Sequence, residues 1–353
     1  MKAALFITIC ILLRVNAFTQ NYYDIVRFSE KVNSGDARYV AMGAAFSSLG
    51  ANFASISDNP AAIGVFNKGG IEFSLNNKFA NTETKFLDQS QRDRDVNLSI
   101  NNFGILSKIS LEDNDLKAKN INLTYTLNRV NDFNSCITMQ SENSTSSMTD
   151  YFLKNIQSVG GYDNADYMVQ DAYNAGLVML DSVTNTFYSD FIRWGVTGQT
   201  KGPYGLKQIN NISTSGRLND NVFGAGVNFN DNIFLGGSFD FTTITYEELN
   251  EYIEEDNNDI IPEFGKFDLL RTLKQEGRGL NLKLGLIYKP LESFRLGISY
   301  HFPSNCQITE NYSSYFKATY NSDGVSYYIN SPEEGNGDYT YSYSVTTPGR
   351  LVV

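Results

Sequence analysis

The stretch LNLKLGLIYKPLESFRLGISYHF, residues 280–302, decides the fold of this chain. Apolar side chains occupy every second position on both sides of the turn Pro290–Ser293. Because successive side chains of a β-strand point to opposite faces, the stretch predicts a hairpin with one apolar face and one polar face. Such a hairpin fits a soluble β-sandwich, and it also fits a barrel with lipid outside and water inside. The apolar positions are Leu280, Leu282, Leu284, Leu286, Tyr288, Phe294, Leu296, Ile298, Tyr300 and Phe302.

The first residues have the pattern of a secretory signal peptide. Lys2 precedes the apolar stretch 3–13, and Ala17 provides a small residue before a cleavage site. We therefore expect residues 1–17 to be removed on export. Beyond them no apolar run approaches the roughly 20 residues that a transmembrane helix needs, so a place in a membrane would require a closed barrel.

Composition narrows the classes of function. The 353 residues carry a formal net charge of −11, which argues against a nucleic-acid partner. The 22 Tyr and 24 Phe are a heavy aromatic load, and in an outer-membrane barrel such residues form girdles at the two interfaces. Cys136 and Cys306, the cysteines left after export, are too far apart in sequence to indicate a disulfide framework or a zinc site.

Alternating strands begin at about residue 70, and their connections fall into two length classes. Transmembrane barrels have short turns at one end and long loops at the other, whereas a sandwich has no reason to sort its loops. We therefore predict an all-β fold, an antiparallel transmembrane barrel over residues 69–353 with about eight strands in this chain. Residues 18–68, rich in small side chains, are predicted to pack inside it. The connections near 112–116, 230–232 and 290–293 are short, and those near 82–94, 140–205, 251–263 and 321–338 are long.

Residues 140–205 lack the strand pattern and predict a helical external insertion. Ser147 followed by Asp150 resembles a helix start, and Met148 and Phe152 recur at helical spacing. A second helix is predicted from Asp163, with Val169, Ala172, Tyr173, Leu177 and Leu180 on one face. These apolar stripes are either packing faces or the wall of an entry groove for apolar ligands. In the second case Phe152 and Leu177 are ligand-binding candidates.

Four short motifs in the order found here resemble the FadL-type transporters of long-chain fatty acids and aromatic hydrocarbons. They are ARYVAMGAAF at 37–46, DNPAA at 58–62, FRLGISYHFP at 294–303 and TPGR at 347–350. The resemblance implies a fourteen-stranded barrel plugged by an N-terminal hatch, so that about six strands are missing here. It implies that Met42, Gly43, Asn59, Pro60 and Ala61 belong to the hatch. Ala62 departs from the motif, in which Gly often follows, and the helical insertion between the third and fourth strands is a second departure.

The resemblance also implies a function. Members of the family take a hydrophobic ligand into a groove among the external loops and pass it to a lumenal site, and a hatch movement then releases it, in some members sideways through the barrel wall. We therefore expect passive uptake of long-chain fatty acids or hydrocarbons across the cell outer membrane. The expected partners are this ligand and outer-membrane lipid, for a chain that acts as a monomer. The alternative is a non-transporting surface protein that binds partners through its external loops.

Several of these residues have a second, simpler interpretation. Asn59 and Pro60 are typical of a turn, which is compatible with a place in the hatch. Lys283 and Arg295 lie on the polar parity, where they either line the lumen or meet the carboxylate of a fatty acid by a charge-assisted hydrogen bond.

The single histidine, His301, lies near Ser299, but no acid is placed to orient its ring, so we expect lumen lining and no enzyme activity. A lone histidine also argues against a metal or haem cofactor, and we expect no cofactor. The acidic run Glu254–Asp259 lacks calcium-loop spacing and is interpreted as solvated charge.

Overall fold

The computed structural model describes residues 22–30, 32–111, 117–143, 146–189, 205–259, 261, 263–322, 325–331 and 338–353. The predicted signal peptide, residues 1–17, lies outside these ranges. The chain divides into two compact units, residues 1–31 and 32–353. In the first unit the structure describes helix α1, Tyr22–Ser29, where Arg27 pairs with Asp24 at 2.9 Å. Among the described residues, no helix has the length and apolar character needed to cross a membrane.

The second unit consists mainly of one large antiparallel sheet with short helices. Its helices are α2 (Ala37–Ala41), α3 (Ala62–Val65), α4 (Met148–Val159) and α5 (Tyr167–Asn174), with 3₁₀ turns at Ala54–Ser57 and Tyr162–Asn164. Its strands are β1 (Gly70–Phe86), β2 (Gln89–Ser110), β3 (Ala118–Asp132), β4 (Ser135–Asn143), β5 (Met179–Asp181), β6 (Thr186–Tyr188), β7 (Leu206–Phe229), β8 (Ile233–Glu255), β9 (Phe264–Leu291), β10 (Phe294–His301), β11 (Ser304–Ser322), β12 (Val325–Ser331), β13 (Asp338–Thr347) and β14 (Arg350–Val352).

Several of these strands are halves of one longer strand. Both β3 and β4 pair with β7, both β10 and β11 pair with β9, and β14 and β13 pair with β10 and β11 in turn. Within the described residues, the sheet therefore has eight lines of strand, in the order β1, β2, β3–β4, β7, β8, β9, β10–β11, β13–β14. Every neighbouring pair is antiparallel, so the all-β, antiparallel prediction is confirmed. Strand β12 extends β11, and β5 with β6 forms a separate small hairpin.

The sheet has the two faces that the alternation predicts. On β9, on β10 and at the residue after β10, the apolar positions of residues 280–302 are 36–55% exposed, whereas Lys283, which points to the opposite face, is buried. We call the first face the apolar face. Residues 32–68, the covering segment, lie on the opposite face, which we call the covered face. Other strands add exposed apolar side chains to the apolar face: Ile71, Phe73, Leu75, Phe79, Val96, Leu98, Ile100, Ile105, Leu123, Phe223, Leu235, Phe239 and Phe241.

The long loop predicted near 82–94 is wrong. Strand β1 continues to Phe86 and β2 begins at Gln89, so the connection is a tight turn in which Leu87 has a φ of 50°. Here both faces carry polar side chains, such as Arg92 and Glu83 at 3.5 Å. The apolar period ends while the backbone ladder, which needs no apolar side chain, continues. Strand β8 likewise extends to Glu255, into the predicted loop 251–263.

The helical insertion is present, but both boundaries of its second helix are corrected: the helix begins at Tyr167, after the 3₁₀ turn Tyr162–Asn164, and not at Asp163. Helix α4 begins at the predicted start, where Ser147 caps the helix and its backbone N–H is bonded by the side chain of Asp150. The second helix ends at Asn174, and Gly176 with a φ of 77° turns the chain away. Leu177 and Leu180 therefore do not share a helix face with Val169, contrary to the prediction.

Candidate functional site

The covering segment lies on a group of three glycines of the sheet, which we call the glycine floor. Gly226, Gly236 and Gly285 are direct cross-strand neighbours on β7, β8 and β9. A Cβ atom on Gly236 would lie 2.1 Å from the carbonyl oxygen of Pro60, and one on Gly285 would lie 2.0 Å from Oδ1 of Asn59. Because glycine carries no Cβ, the backbone of the segment rests directly on these strands.

Asn59 is the centre of this contact. Its side chain is fully buried, and its Oδ1 accepts a hydrogen bond from the backbone N–H of Ala61 at 3.0 Å. Its Nδ2 donates to the carbonyl oxygens of Ser47 at 2.6 Å and of Leu286, on β9, at 3.4 Å. The carbonyl of Asn59 also accepts from the N–H of Ala62, which closes the turn around Pro60 and Ala61. Asn59 thus forms the turn and joins two parts of the segment to the sheet.

Side chains of the covered face bind backbone carbonyls of the segment just before Asn59. Lys283 donates to the carbonyl of Ser57 at 2.9 Å. The carbonyl of Asp58 accepts from Ser299 Oγ at 2.5 Å and contacts His301 Nε2 at 2.7 Å. We call Lys283, Ser299 and His301 the carbonyl clamp. Ser299 is the cross-strand neighbour of Gly285, so clamp and glycine floor form one continuous site.

Lys283 is also the cation of a buried ion cluster. It pairs with Asp240 on β8 and lies 3.8 Å from Asp220 on β7. The side chains of all three are at most 4% exposed. A charge removed from water persists only where partners compensate it. Lys283, predicted as a ligand-binding cation, is therefore already fully engaged here, and its contact with a ligand stays a prediction.

The second predicted cation is engaged in the same way. Arg295 donates from Nη1 to the carbonyl of Leu49, in the covering segment, at 2.7 Å. It lines a cavity of about 670 Å³ at the short-turn end of the sheet, together with Arg38, Val65 and Glu292. Sequence reasoning placed Lys283 and Arg295 on the right face, but it missed Asp220 and Asp240. Their signal in the sequence is an acidic residue at a position whose side chain points to the covered face.

Met42 and Gly43 lie apart from the Asn59 contacts. Met42 ends helix α2 and is 44% exposed, and Gly43 has a φ of 62° with open space where a Cβ would be. These residues form the turn after α2. The tie between this helix and the Asn59 region is made instead by Tyr39, whose hydroxyl donates to the carboxylate of Asp58.

Phe152 and Leu177 lie in a closed apolar cluster. Both are at most 1% exposed, and the ring of Phe152 lies 5.7 Å from that of Phe316 on β11. Of the two interpretations, the packing face is the one this geometry supports. The cluster joins the insertion to the sheet, and its buried members are Phe152, Leu153, Ile156, Ala165, Val169, Ala172, Ala175, Leu177, Val178, Leu206, Ile261, Phe264, Phe267, Leu269, Phe316 and Ala318.

One buried carboxylate fixes the start of α4. Glu254 on β8 accepts hydrogen bonds from Ser147 Oγ and, at 2.7 Å, from the backbone N–H of Met148. It also accepts from Gln208 at 2.8 Å and from the hydroxyl of Tyr252 at 2.6 Å. Burial raises the pKa of Glu254 above its ordinary value, and these hydrogen bonds offset only part of that rise. This corrects the interpretation of Glu254 as solvated charge.

The sheet has a gap between β2 and β3. The ladder between these strands runs only from the pair Ser110–Asn120 to the pair Asn102–Asn128. Further along, side chains replace it: Asn97 donates to Asp132 at 3.0 Å. A cavity of about 370 Å³ opens at this point. Its lining residues are Asn97, Leu98, Ser99, Ile100, Arg129, Asn134, Gly216, Arg217 and Thr245.

Comparison of this chain with protein-family models, with curated proteins and with solved structures finds no match. The functional argument therefore starts from the geometry: an exposed apolar face, a covered polar face, and a gap beside them.

Proposed function

We propose that this chain forms part of a hatch-gated barrel in the outer membrane, which takes up long-chain fatty acids or hydrocarbons passively. The observation that carries the proposal is the apolar face. It extends over β1, β2, β3, β7, β8, β9 and β10, far beyond the scattered apolar residues of an ordinary soluble surface. Contact with lipid accounts for such a face, and a polar interior accounts for the opposite one.

In this proposal the covering segment is the hatch. Its carbonyls are held by Lys283, Ser299 and His301, and its turn at Asn59 rests on the glycine floor. These contacts are polar and directional, so a displaced hatch could return to the same place. The resemblance to the FadL-type transporters implies fourteen strands, among which the eight lines described here would be neighbours.

The gap between β2 and β3 supports a sideways exit. Leu98 and Ile100 border the cavity and are 69% and 44% exposed on the apolar face. A ligand chain leaving there would pass from the cavity to an apolar surface. Transfer of each CH₂ out of water contributes about 0.8 kcal/mol, so a long chain gains strongly when it reaches the apolar face.

Uptake of tritiated oleate by cells that express the chain tests the proposal. We expect saturable uptake that is lost in Asn59→Ala, because this change removes three hydrogen bonds of the hatch. Asn77→Ala, at an exposed position of β1, is the matched control and should leave uptake unchanged. The amount of each variant in the outer membrane is measured in parallel.

The same assay distinguishes transport from the alternative function. A surface protein that binds partners through its external loops would show oleate uptake indifferent to Asn59→Ala. Partner binding would then depend on the insertion at 140–205 alone. That result would overturn the transport proposal.

A further inference from the structure

Two arginines stand on the apolar face just where its apolar side chains end. On this face the rings of Tyr125 on β3 and Phe223 on β7 lie 5.0 Å apart. Alternation places Arg129, four residues after Tyr125, and Arg217, six residues before Phe223, on the same face. On β8 the corresponding change from apolar to polar follows Phe241, where the next outward residues are threonines.

The two arginines form one site. Arg129 is the cross-strand partner of Asn219, and Arg217 lies two residues before Asn219 on β7. Both line the cavity at the gap between β2 and β3. The positive charge of Arg217 lies close enough to act on that of Arg129. Neighbouring like charges at one opening favour an anion between them.

The nearest carboxylate is already shared. Asp132 accepts from Arg129 at 3.2 Å, and it also accepts from Asn97 and from Asn134 at 2.9 Å. Lys78 lies 3.9 Å from the same carboxylate. Two cationic side chains and two amides thus share one carboxylate. Nε of Arg129 is buried and lacks a hydrogen-bond partner among the described residues.

We propose that Arg129 and Arg217 bind the phosphate of a lipid headgroup from the surrounding leaflet, an inference that rests on the membrane location in the proposed function. Guanidinium groups offer paired N–H donors that match phosphate oxygens, and a phosphate supplies the negative charge that Asp132 does not. Headgroups lie directly beyond the acyl chains, which is where these arginines stand relative to the apolar face.

The lipid tail then has a defined place. Leu98 and Ile100 border the same cavity and are exposed on the apolar face. A lipid held by its phosphate at the arginines lays its acyl chains over these side chains and covers the gap from outside. A ligand that leaves sideways therefore has to displace this lipid.

The test uses the full chain in neutral detergent, titrated with a fluorescent short-chain phosphatidic acid. A fluorescent diacylglycerol with the same chains lacks the phosphate, and inorganic phosphate lacks the chains. We expect saturable binding of phosphatidic acid that weakens by about tenfold or more in Arg129→Gln/Arg217→Gln, because two charge-assisted contacts are lost. Lys85→Gln/Arg92→Gln removes two positive charges at the tip of the β1–β2 hairpin and should change binding by less than about twofold.

Three results would overturn the inference: equal binding in the arginine variant and the wild type, an equal loss in both double variants, or equally tight binding of the diacylglycerol. Displacement of the lipid by inorganic phosphate at matched concentration would also overturn it, since the site would then take free anions. Arg217→Gln alone, at an exposed position, provides a variant with little risk to folding and should show a partial loss.

Oleate uptake by cells that express the same variants keeps the two proposals apart. A chain that takes up oleate but binds phosphatidic acid without regard to the arginines disproves only the lipid site. A chain that binds phosphatidic acid through the arginines but takes up no oleate disproves only transport.

Discussion

Lys283 is the residue on which the polar contacts of the covered face converge. It joins Asp240 and Asp220 to the carbonyl of Ser57, so one side chain links three strands to the covering segment. Replacing it by methionine keeps the length of the side chain but leaves two buried carboxylates without their cation. The substitution changes only the contacts of this side chain, because the backbone around Lys283 is regular β-strand.

We expect Lys283→Met to lower the free energy of unfolding by about 3–5 kcal/mol, the usual range for breaking a buried ion pair. Lys274→Met is the matched control, because Lys274 pairs with Glu247 at an exposed site, where an ion pair contributes about 0–1 kcal/mol. Urea titration in phosphatidylcholine vesicles measures both variants. Lys283→Met/Asp240→Asn should recover part of the loss. Equal stability of the two single variants would contradict the role of Lys283.

A second prediction at this scale uses two adjacent glycines. Gly236→Ala puts a methyl group 2.1 Å from the carbonyl of Pro60, whereas Gly237→Ala, on the apolar face, makes ordinary contacts with Leu284 at 3.4 Å and the Lys283 carbonyl at 3.8 Å. We expect Gly236→Ala to displace the covering segment and to speed hydrogen exchange at residues 46–64, with a stability loss of about 1–3 kcal/mol from overpacking. Gly237→Ala should leave exchange unchanged. If both variants exchange alike, the segment does not rest on the glycine floor.

The alternation of side chains along each strand predicts which residues lie on the covered face, but not which groups they contact. Lys283 and Arg295 were placed there from alternation alone, and both are there. Their partners are backbone carbonyls of Ser57 and Leu49, more than 200 residues earlier in the chain. No local pattern encodes such a pairing, because any backbone carbonyl accepts a hydrogen bond.

Among the elements, α4 depends on a partner outside itself. Its capping box was predictable, since Ser147 and Asp150 have the required spacing. Its attachment to Glu254 was not, because an acidic run looks solvated until a helix start is placed against it. The sequence does not predict the hairpin tip at Leu87–Asp88 for a related reason. Beyond the apolar face, β1 and β2 keep their backbone hydrogen bonds, but their side chains no longer alternate between apolar and polar.

We expect Glu254→Ala to detach the start of α4, because four donors lose their acceptor at a buried site, at a cost of roughly 1–3 kcal/mol per unsatisfied group. Glu255→Ala, at the next and less buried position, is the control. Hydrogen exchange of residues 147–153 measures the effect. Faster exchange confined to Glu254→Ala is the expected result, and equal exchange in both variants would contradict it.

The raised pKa of Glu254 also predicts how the stability of the folded chain changes with pH. Since burial raises its pKa in the folded chain, the contribution of Glu254 to stability is fully present below the ordinary value of 4.5 and declines as the pH rises through the raised pKa. The hydroxyls of Ser147 and Tyr252 can accept as well as donate hydrogen bonds, so they can pair with the protonated or the ionised carboxyl of Glu254. Glu254→Gln should remove this pH dependence.

For the whole molecule, the decisive question is whether the apolar face meets lipid. Leu284 lies on β9 and is 51% exposed, and Leu249 lies on β8, beyond Phe241, and is 42% exposed. Judged by exposure alone, as in a soluble protein, an arginine at either position is tolerated. In a membrane the two differ, because Leu284 lies among the apolar side chains of residues 280–288, whereas Leu249 follows Thr243, Thr245 and Glu247 on its face.

We therefore expect Leu284→Arg to lower the free energy of unfolding from phosphatidylcholine vesicles by about 2–4 kcal/mol, the depth-dependent cost of arginine on the lipid face of a barrel. Leu249→Arg should cost about 0–1 kcal/mol, as near an interface. Urea titration of both variants in the same vesicles gives the difference directly. Two arginines tolerated equally, in a chain that stays monomeric without detergent, would mean that water covers this face. The covered face would then be an ordinary protein interior, and neither the hatch nor the lipid site would have a membrane in which to act.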